Sequence, residues 1–228
     1  MSTKPVCLIL GAGPGLGYSL ARKWNSMGHK VVIARRSPMD ADKVDKEVAA
    51  GVVAVACDVS NKEALTKVVD EVENKFGPIN TLLYNAGNGV FKTYENLTVE
   101  EFEKCLSVNT IGLLVAAQII CPRMVKRGAG VVGVTGATAS LRGKPMTAAF
   151  APAKAAQRML TQSLARELMP KGVHVFYTIV DGMIKAGSEE GSKYMDPEHI
   201  AQTYWDVANQ QKSCWSFEVD MRPFCENW

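Results

Sequence analysis

The chain has no block of lysine and arginine, and its 26 basic against 23 acidic residues leave a formal net charge of only +3. So mild a balance gives no electrostatic footprint for nucleic acid. The longest apolar run, Ile111 to Cys121, falls short of the roughly 20 residues a helix needs to cross a bilayer. No membrane segment is therefore expected. No apolar signal stretch opens the sequence, and its 6 cysteines include no C-x-x-C pair. The expectation is a cytoplasmic, reduced protein in which Cys7 and Cys57, set in strand-like runs, are buried thiols. His29, His174 and His199 are scattered without metal-ligand spacing, so no metal site is expected. Internal repeats, low-complexity tracts and linkers are also missing. The 228 residues, 47% hydrophobic and 21% charged, read as one globular domain spanning 1–228.

What is present centres on one stretch. Val6-Cys7-Leu8-Ile9-Leu10 is a short buried strand by pattern. Gly11-Ala12-Gly13-Pro14-Gly15-Leu16-Gly17 follows, and Leu16, Leu20, Trp24 and Met27 then recur at helical spacing. A strand, a glycine turn and a helix start aim backbone N–H groups and a positive helix terminus at one spot, which suits a phosphate. Glycines let a pyrophosphate reach the backbone. An ordinary strand-to-helix turn is the competing reading.

Downstream, strand-like and helix-like stretches alternate. Strands are expected at 30–34, 52–57, 80–84, 130–135 and 173–180, with a further one at 217–220. Helices are expected at 40–50, from Ser60 to about Phe76, from Thr98 to about Arg127, from Thr147 to about Met169, and from Pro197 onward. Ser60 with Glu63, and Thr98 with Glu101, have capping-box spacing. Asp196 is placed to cap the helix that Pro197 starts. Asn96-Leu97-Thr98 is a formal glycosylation sequon that reads better as helix-start chemistry. Methionines at helical positions read as core. The alternation demands a parallel sheet with helices on both faces, and in such sheets ligands bind beyond the carboxyl ends of the strands.

The residues after each strand therefore carry the functional reading. Arg35 and Arg36 stand where an acidic residue would bind an adenosine 2′-hydroxyl. Two guanidiniums instead suit a 2′-phosphate, so NADP(H) is favoured over NAD(H), against the alternative of a solvated surface pair.

The G-x-x-x-G-x-G spacing of Gly11, Gly15 and Gly17 resembles the short-chain dehydrogenase/reductase family, and later motifs extend the resemblance over residues 5–186. It implies a doubly wound, Rossmann-type α/β domain whose cofactor contacts fall on Gly11, Gly13, Pro14, Gly15, Leu16, Gly17, Arg35, Arg36, Asp58, Val59, Asn85, Ala86, Gly87, Lys154, Gly182 and Ile184. Asp58-Val59 resembles the family's adenine-edge contact, although Asp58 also reads as part of a loop and helix start. Tyr84-Asn85-Ala86-Gly87 resembles N-N-A-G, with Tyr84 for the first asparagine. Asn109 matches the helix asparagine that bends its helix and anchors a water beside the catalytic lysine, and Lys154 matches that lysine. Asn109 and Lys154 are thus the implied catalytic residues.

The resemblance breaks at the proton donor. The family tyrosine would fall on position 150, which holds Phe150, and the family serine on position 137, which holds Ala137. In a related enoyl-reductase register the tyrosine position holds Thr147. A positioned general acid contributes about 10² to 10⁴ in rate, some 3 to 5 kcal/mol of barrier. Candidate replacements are Thr135, Thr138, Ser140, Lys154 acting through water, and Tyr194 or Tyr204 folding over the pocket. Asp181 replaces the usual proline of Pro-Gly and Ala186 a threonine. Asp181 reads either as an acid/base group near the nicotinamide or as a turn residue bonding its own backbone.

Residues 187–228 correspond to the family's variable substrate or oligomer lobe. Their Trp205, Trp215, Phe217 and Trp228 line a pocket, form an interface, or pack a small core. The implied partners are an unidentified small-molecule substrate and a second copy of the chain, in a homodimer or homotetramer. Two functions stay open: an oxidoreductase with a nonstandard proton donor, and a catalytically inactive NADP(H)-binding sensor or scaffold.

Overall fold

A computed structural model describes residues 4–189 and 191–226; Trp228 lies outside them. The apolar runs become parallel strands. β1 (Val6–Leu10), β2 (Lys30–Arg35), β3 (Val53–Ala56), β4 (Ile79–Tyr84), β5 (Gly130–Thr135), β6 (Val173–Val180) and β7 (Glu218–Met221) form one sheet in the order β3-β2-β1-β4-β5-β6-β7. The helices are α1 (Leu16–Ser26), α2 (Ala41–Glu47), α3 (Lys62–Phe76), α4 (Val99–Leu106), α5 (Gly112–Arg127), α6 (Phe150–Leu168) and α7 (Pro197–Ala208).

Because side chains alternate across a strand, β1 feeds two cores. Val6, Leu8 and Leu10 join the core shared with α3, α5 and α6, and Cys7 and Ile9 the one shared with α1, α2 and α7. Strand order reverses between β1 and β4, so the crevice for a ligand opens at their carboxyl ends. The segment from α7 to β7 is built into the domain rather than hung outside it. β7 pairs with β6 and is tied to α6 by a forked pair between Arg158 and Glu218 at 2.5 and 2.9 Å. Trp205 packs edge-on against Trp24, Trp215 stacks on His174, and Phe217 meets the core.

Local chemistry sets the helix boundaries, and it corrects several expectations. Thr98 and Glu101 form the expected capping box, and Asp196 caps α7. The cap of α3 is Asn61, whose side chain accepts from the Ala64 N–H, and not Ser60. Ser60 instead donates through both its N–H and its hydroxyl to Asp58. Residues 99–127 form one continuous helical stretch that is long and apolar enough to cross a membrane by length and composition, which the shorter run at 111–121 did not reveal. Its Leu113, Ala116, Ala117, Ile120 and Met124 are buried in the domain core. Met27 and Met159 are 46% exposed, so helical methionines are not uniformly core. Cys7 and Cys57 are buried free thiols, and burial raises both pKa values.

Candidate active site

The glycine loop divides by role. At Gly11 a Cβ would lie 2.3 Å from the Cα of Ala86, and at Gly17 one would lie 2.7 Å from the Cα of Ala12. Those two glycines permit close backbone packing. At Gly13 and Gly15 a Cβ would meet nothing within 4 Å, and Gly15 has φ +106°. The open space lies before the N-terminus of α1, where Gly15 has no side chain to cap the helix and the first turn has no acid. Free N–H groups and an open approach fit a pyrophosphate. Leu16 packs its side chain into the core, which leaves only its backbone at the turn, and Pro14 is exposed.

Beyond the loop lies a cleft of about 300 Å³ lined by Gly11, Gly13, Arg35, Arg36, Asp58, Val59, Asn85, Ala86 and Gly87, among others. Arg35 donates to the Tyr18 hydroxyl at 2.9 Å and lies 3.2 Å from the Met39 sulfur, so its guanidinium is braced against α1. Arg36 is exposed. Asp58 accepts both Ser60 bonds on Oδ1, and these bonds, above all the hydroxyl's, hold its carboxyl below the usual range. Both sequence readings of Asp58 therefore coexist: it shapes the turn into α3 and borders the cleft as a carboxylate.

At the end of β4, Asn85 donates to the Gly11 carbonyl and accepts from the Thr135 hydroxyl, both at 2.9 Å. It joins the glycine loop to β5. Tyr84 is buried and donates to the Val108 carbonyl, against Gly112. That bond supports a π-helical turn at Ser107–Ile111 that interrupts the long helix and holds Asn109. The Asn109 amide donates to the carbonyls of Asn88 at 2.9 Å and Cys105 at 2.8 Å. Its Oδ1 is buried without a partner and would lie 3.5 Å from a Cβ at Gly87. This orphaned acceptor beside the cleft, together with the open glycine cradle, fits a dinucleotide with hydroxyl groups to donate.

Lys154 is the centre of the arrangement. It is 4% exposed, and its Nζ donates to the Thr135 carbonyl at 2.8 Å and to Gln157 Oε1 at 3.0 Å. Burial brings its pKa down to about 7. Gln157 is fully buried and donates in turn to the Asn109 carbonyl at 2.8 Å. The sequence reading missed Gln157. Its only signal is a position one helical turn past the lysine, and its partner is 48 residues away.

A second cavity, of about 550 Å³, shares Asn85 and Gly87 with the cleft and is also bordered by Lys154, Phe150, Ala137, Asp181, Gly182 and Ile184. The Phe150 ring lies 5.8 Å from the lysine nitrogen and 5.3 Å from the ring of Phe91. Two of the hydroxyls proposed as replacements are committed elsewhere: Thr135 bonds Asn85 and Ser140 bonds the Ala137 carbonyl. Thr138 borders the cavity, and its oxygen is buried without a partner. Tyr204 does not fold over the pocket: it is fully buried and bonds Thr178 and Thr135. Its place follows from the stripe Ile200, Ala201, Tyr204 and Val207, which faces the core. Tyr194 lies beside Lys185 and Lys193, off the cavity wall. Asp181 is 8% exposed and pairs with Arg222 at 3.9 Å rather than with its own turn.

A family model described as short chain dehydrogenase matches residues 5–222. An uncharacterized oxidoreductase of Staphylococcus aureus is 29% identical over 231 residues, covering 97% of this chain and 98% of the relative. An NADP-dependent (R)-specific alcohol dehydrogenase of Lentilactobacillus kefiri is 32% identical over 184 residues, 79% of this chain and 73% of the relative. The crystal structure of a short-chain dehydrogenase from Rhodopseudomonas palustris superposes with a TM-score of 0.84 at 31% identity, covering 96% of this chain and 99% of that one.

Proposed function

The chain belongs to the short-chain dehydrogenase family, and on that footing we propose that it is an NADP(H)-dependent oxidoreductase of a carbonyl or alcohol, with Lys154 as proton donor and acceptor. When bound, the nicotinamide supplies or takes up the hydride. Glycines 11 to 17 would hold the pyrophosphate, Arg35 and Arg36 the 2′-phosphate, and Asp58 and Val59 the adenine. The NADP-dependent name of the L. kefiri relative supports the same cofactor.

One observation carries the proposal: Lys154 borders the second cavity beside Phe150, buried, with its pKa near neutrality. An ammonium has three N–H donors, and the protein takes two of them, at Thr135 and Gln157. The third is left for a ligand. A donor with a pKa near the working pH is suited to move protons in both directions.

A second reading, a catalytically silent NADP(H) binder, is favoured by the side chains Phe150 and Ala137, which have neither the acid nor the hydroxyl for a carbonyl oxygen. The test follows NADPH oxidation at saturating cofactor with a panel of aldehydes and ketones. Turnover by the unmodified protein that disappears in Lys154→Met supports the lysine donor. Turnover that appears only in the Phe150→Tyr, Ala137→Ser double variant supports the silent binder and overturns the first reading.

A further inference from the structure

The second cavity carries an asymmetry of charge that the hydride chemistry does not use. Arg142 and Lys144 border it from the loop after β5, and both are exposed. The backbone beneath them is fixed. The Arg142 N–H donates to the Thr138 carbonyl at 3.2 Å, and the Lys144 N–H donates to the Thr147 hydroxyl at 2.8 Å. Their side chains, in contrast, make no ion pair or hydrogen bond among the described residues. Two carboxylates border the same cavity. Asp181 is paired with Arg222, and Glu226 engages neither cation. Phe91, Phe150 and Ile184 add apolar surface to the same lining.

A substrate here must be oriented without the usual contacts at its reacting carbonyl, because Ala137 and Phe150 have no hydroxyl to offer it. Orientation then has to come from the remote end of the molecule, where binding energy can be used to place the reacting atoms. A guanidinium fork and an ammonium on a fixed loop match a carboxylate.

Resting on the oxidoreductase reading, we propose that the substrate is a keto acid, or the matching hydroxy acid: an apolar body against Phe91 and Phe150, with a carboxylate held by Arg142 and Lys144.

The test begins with a calorimetric titration of the protein with NADPH. Benzoylformate, benzoylpropionate and benzoylbutyrate, each beside its methyl ester, are then titrated into the NADPH-saturated protein, and turnover is measured in the same mixtures. At least one acid is expected to bind roughly ten- to hundredfold tighter than its ester, as loss of a charged hydrogen-bond partner implies. That preference is expected to vanish in the Arg142→Ala, Lys144→Ala double variant, with NADPH affinity unchanged. Esters that bind as well as the acids, or a preference that survives the double variant, overturn the proposal whether or not turnover occurs. Acid binding without turnover leaves the carboxylate contact at Arg142 and Lys144 standing, and overturns the oxidoreductase reading and with it the assignment of the acid as substrate. Failure of NADPH to bind in the first titration overturns both.

Discussion

The pKa of Lys154 is testable without any substrate. Burial is the cause of its depression from 10.5 to about 7, and the nearby Cys105 acts weakly in the opposite direction. The side chain is 4% exposed, so solvent screening takes little from the effect. Between the folded and unfolded pKa values the unfolded chain holds one more proton than the native protein. Stability must therefore rise with pH through that window. Each unit corresponds to about 1.4 kcal/mol. From pH 7, where the folded lysine is half protonated, to pH 8.5, the gain is about 1.5 kcal/mol. The buried thiols Cys7, Cys57, Cys105 and Cys121, with raised pKa values, act the other way as an unfolded thiol ionises at about pH 8.5, a contribution common to the unmodified protein and Lys154→Met. Urea unfolding at pH 7 and 8.5 of the unmodified protein and of Lys154→Met isolates the lysine. The Met variant leaves Gln157 and the Thr135 carbonyl without a donor, a cost that does not vary with pH in this range. The expected result is a difference between the two proteins that changes by about 1.5 kcal/mol over the interval. Parallel profiles would refute the depressed pKa, and with it the case for Lys154 as a neutral-pH acid.

Arg36→Ala removes an exposed guanidinium at the cleft and is expected to weaken NADPH binding about tenfold while leaving NADH unchanged by calorimetry; an equal loss for both cofactors would sink the 2′-phosphate assignment. Gln157→Leu keeps the volume but leaves the Asn109 carbonyl and one lysine N–H unpaired. It is expected to cost about 2 to 4 kcal/mol of stability and to move the Lys154 titration to lower pH, because the charged form loses an acceptor. An unchanged pH profile would show that Gln157 does not position the lysine.

Much of this was legible in the sequence because it depends on local pattern. The bounds of β5 and β6 follow from β-branched runs flanked by glycine, and the Thr98 cap from its own spacing to Glu101. The Ser60 cap was misread because Asn61, one residue on, is as good a cap, and the choice was made by Asp58 capturing the Ser60 hydroxyl. The long-range partners of Gln157 and Asp181 were illegible for a different reason. Gln157 reaches the Asn109 carbonyl across 48 residues, and Arg222 reaches Asp181 from beyond the edge strand. No periodicity encodes such pairs.

That distinction bears on what the surviving motif residues mean. Asn85 joins three segments, β4, the glycine loop and β5. Asn109 closes the π turn, and Lys154 with Gln157 stitches α6 to β5 and to that turn. Each would cost stability to lose, because it satisfies at least one backbone carbonyl: that of Gly11 for Asn85, those of Asn88 and Cys105 for Asn109, and that of Thr135 for Lys154. Phenylalanine and alanine at 150 and 137 carry no such obligation. A fold can therefore keep Asn85, Asn109 and Lys154 for architecture alone, and their presence does not separate an enzyme from a binder. What separates them is the property that architecture does not require. A structural lysine is served as well by an acceptor that keeps it charged, whereas a proton donor needs a pKa near the working pH and one N–H left open to the cavity. The titration of Lys154 therefore tests the catalytic reading in a way that the surviving motif does not.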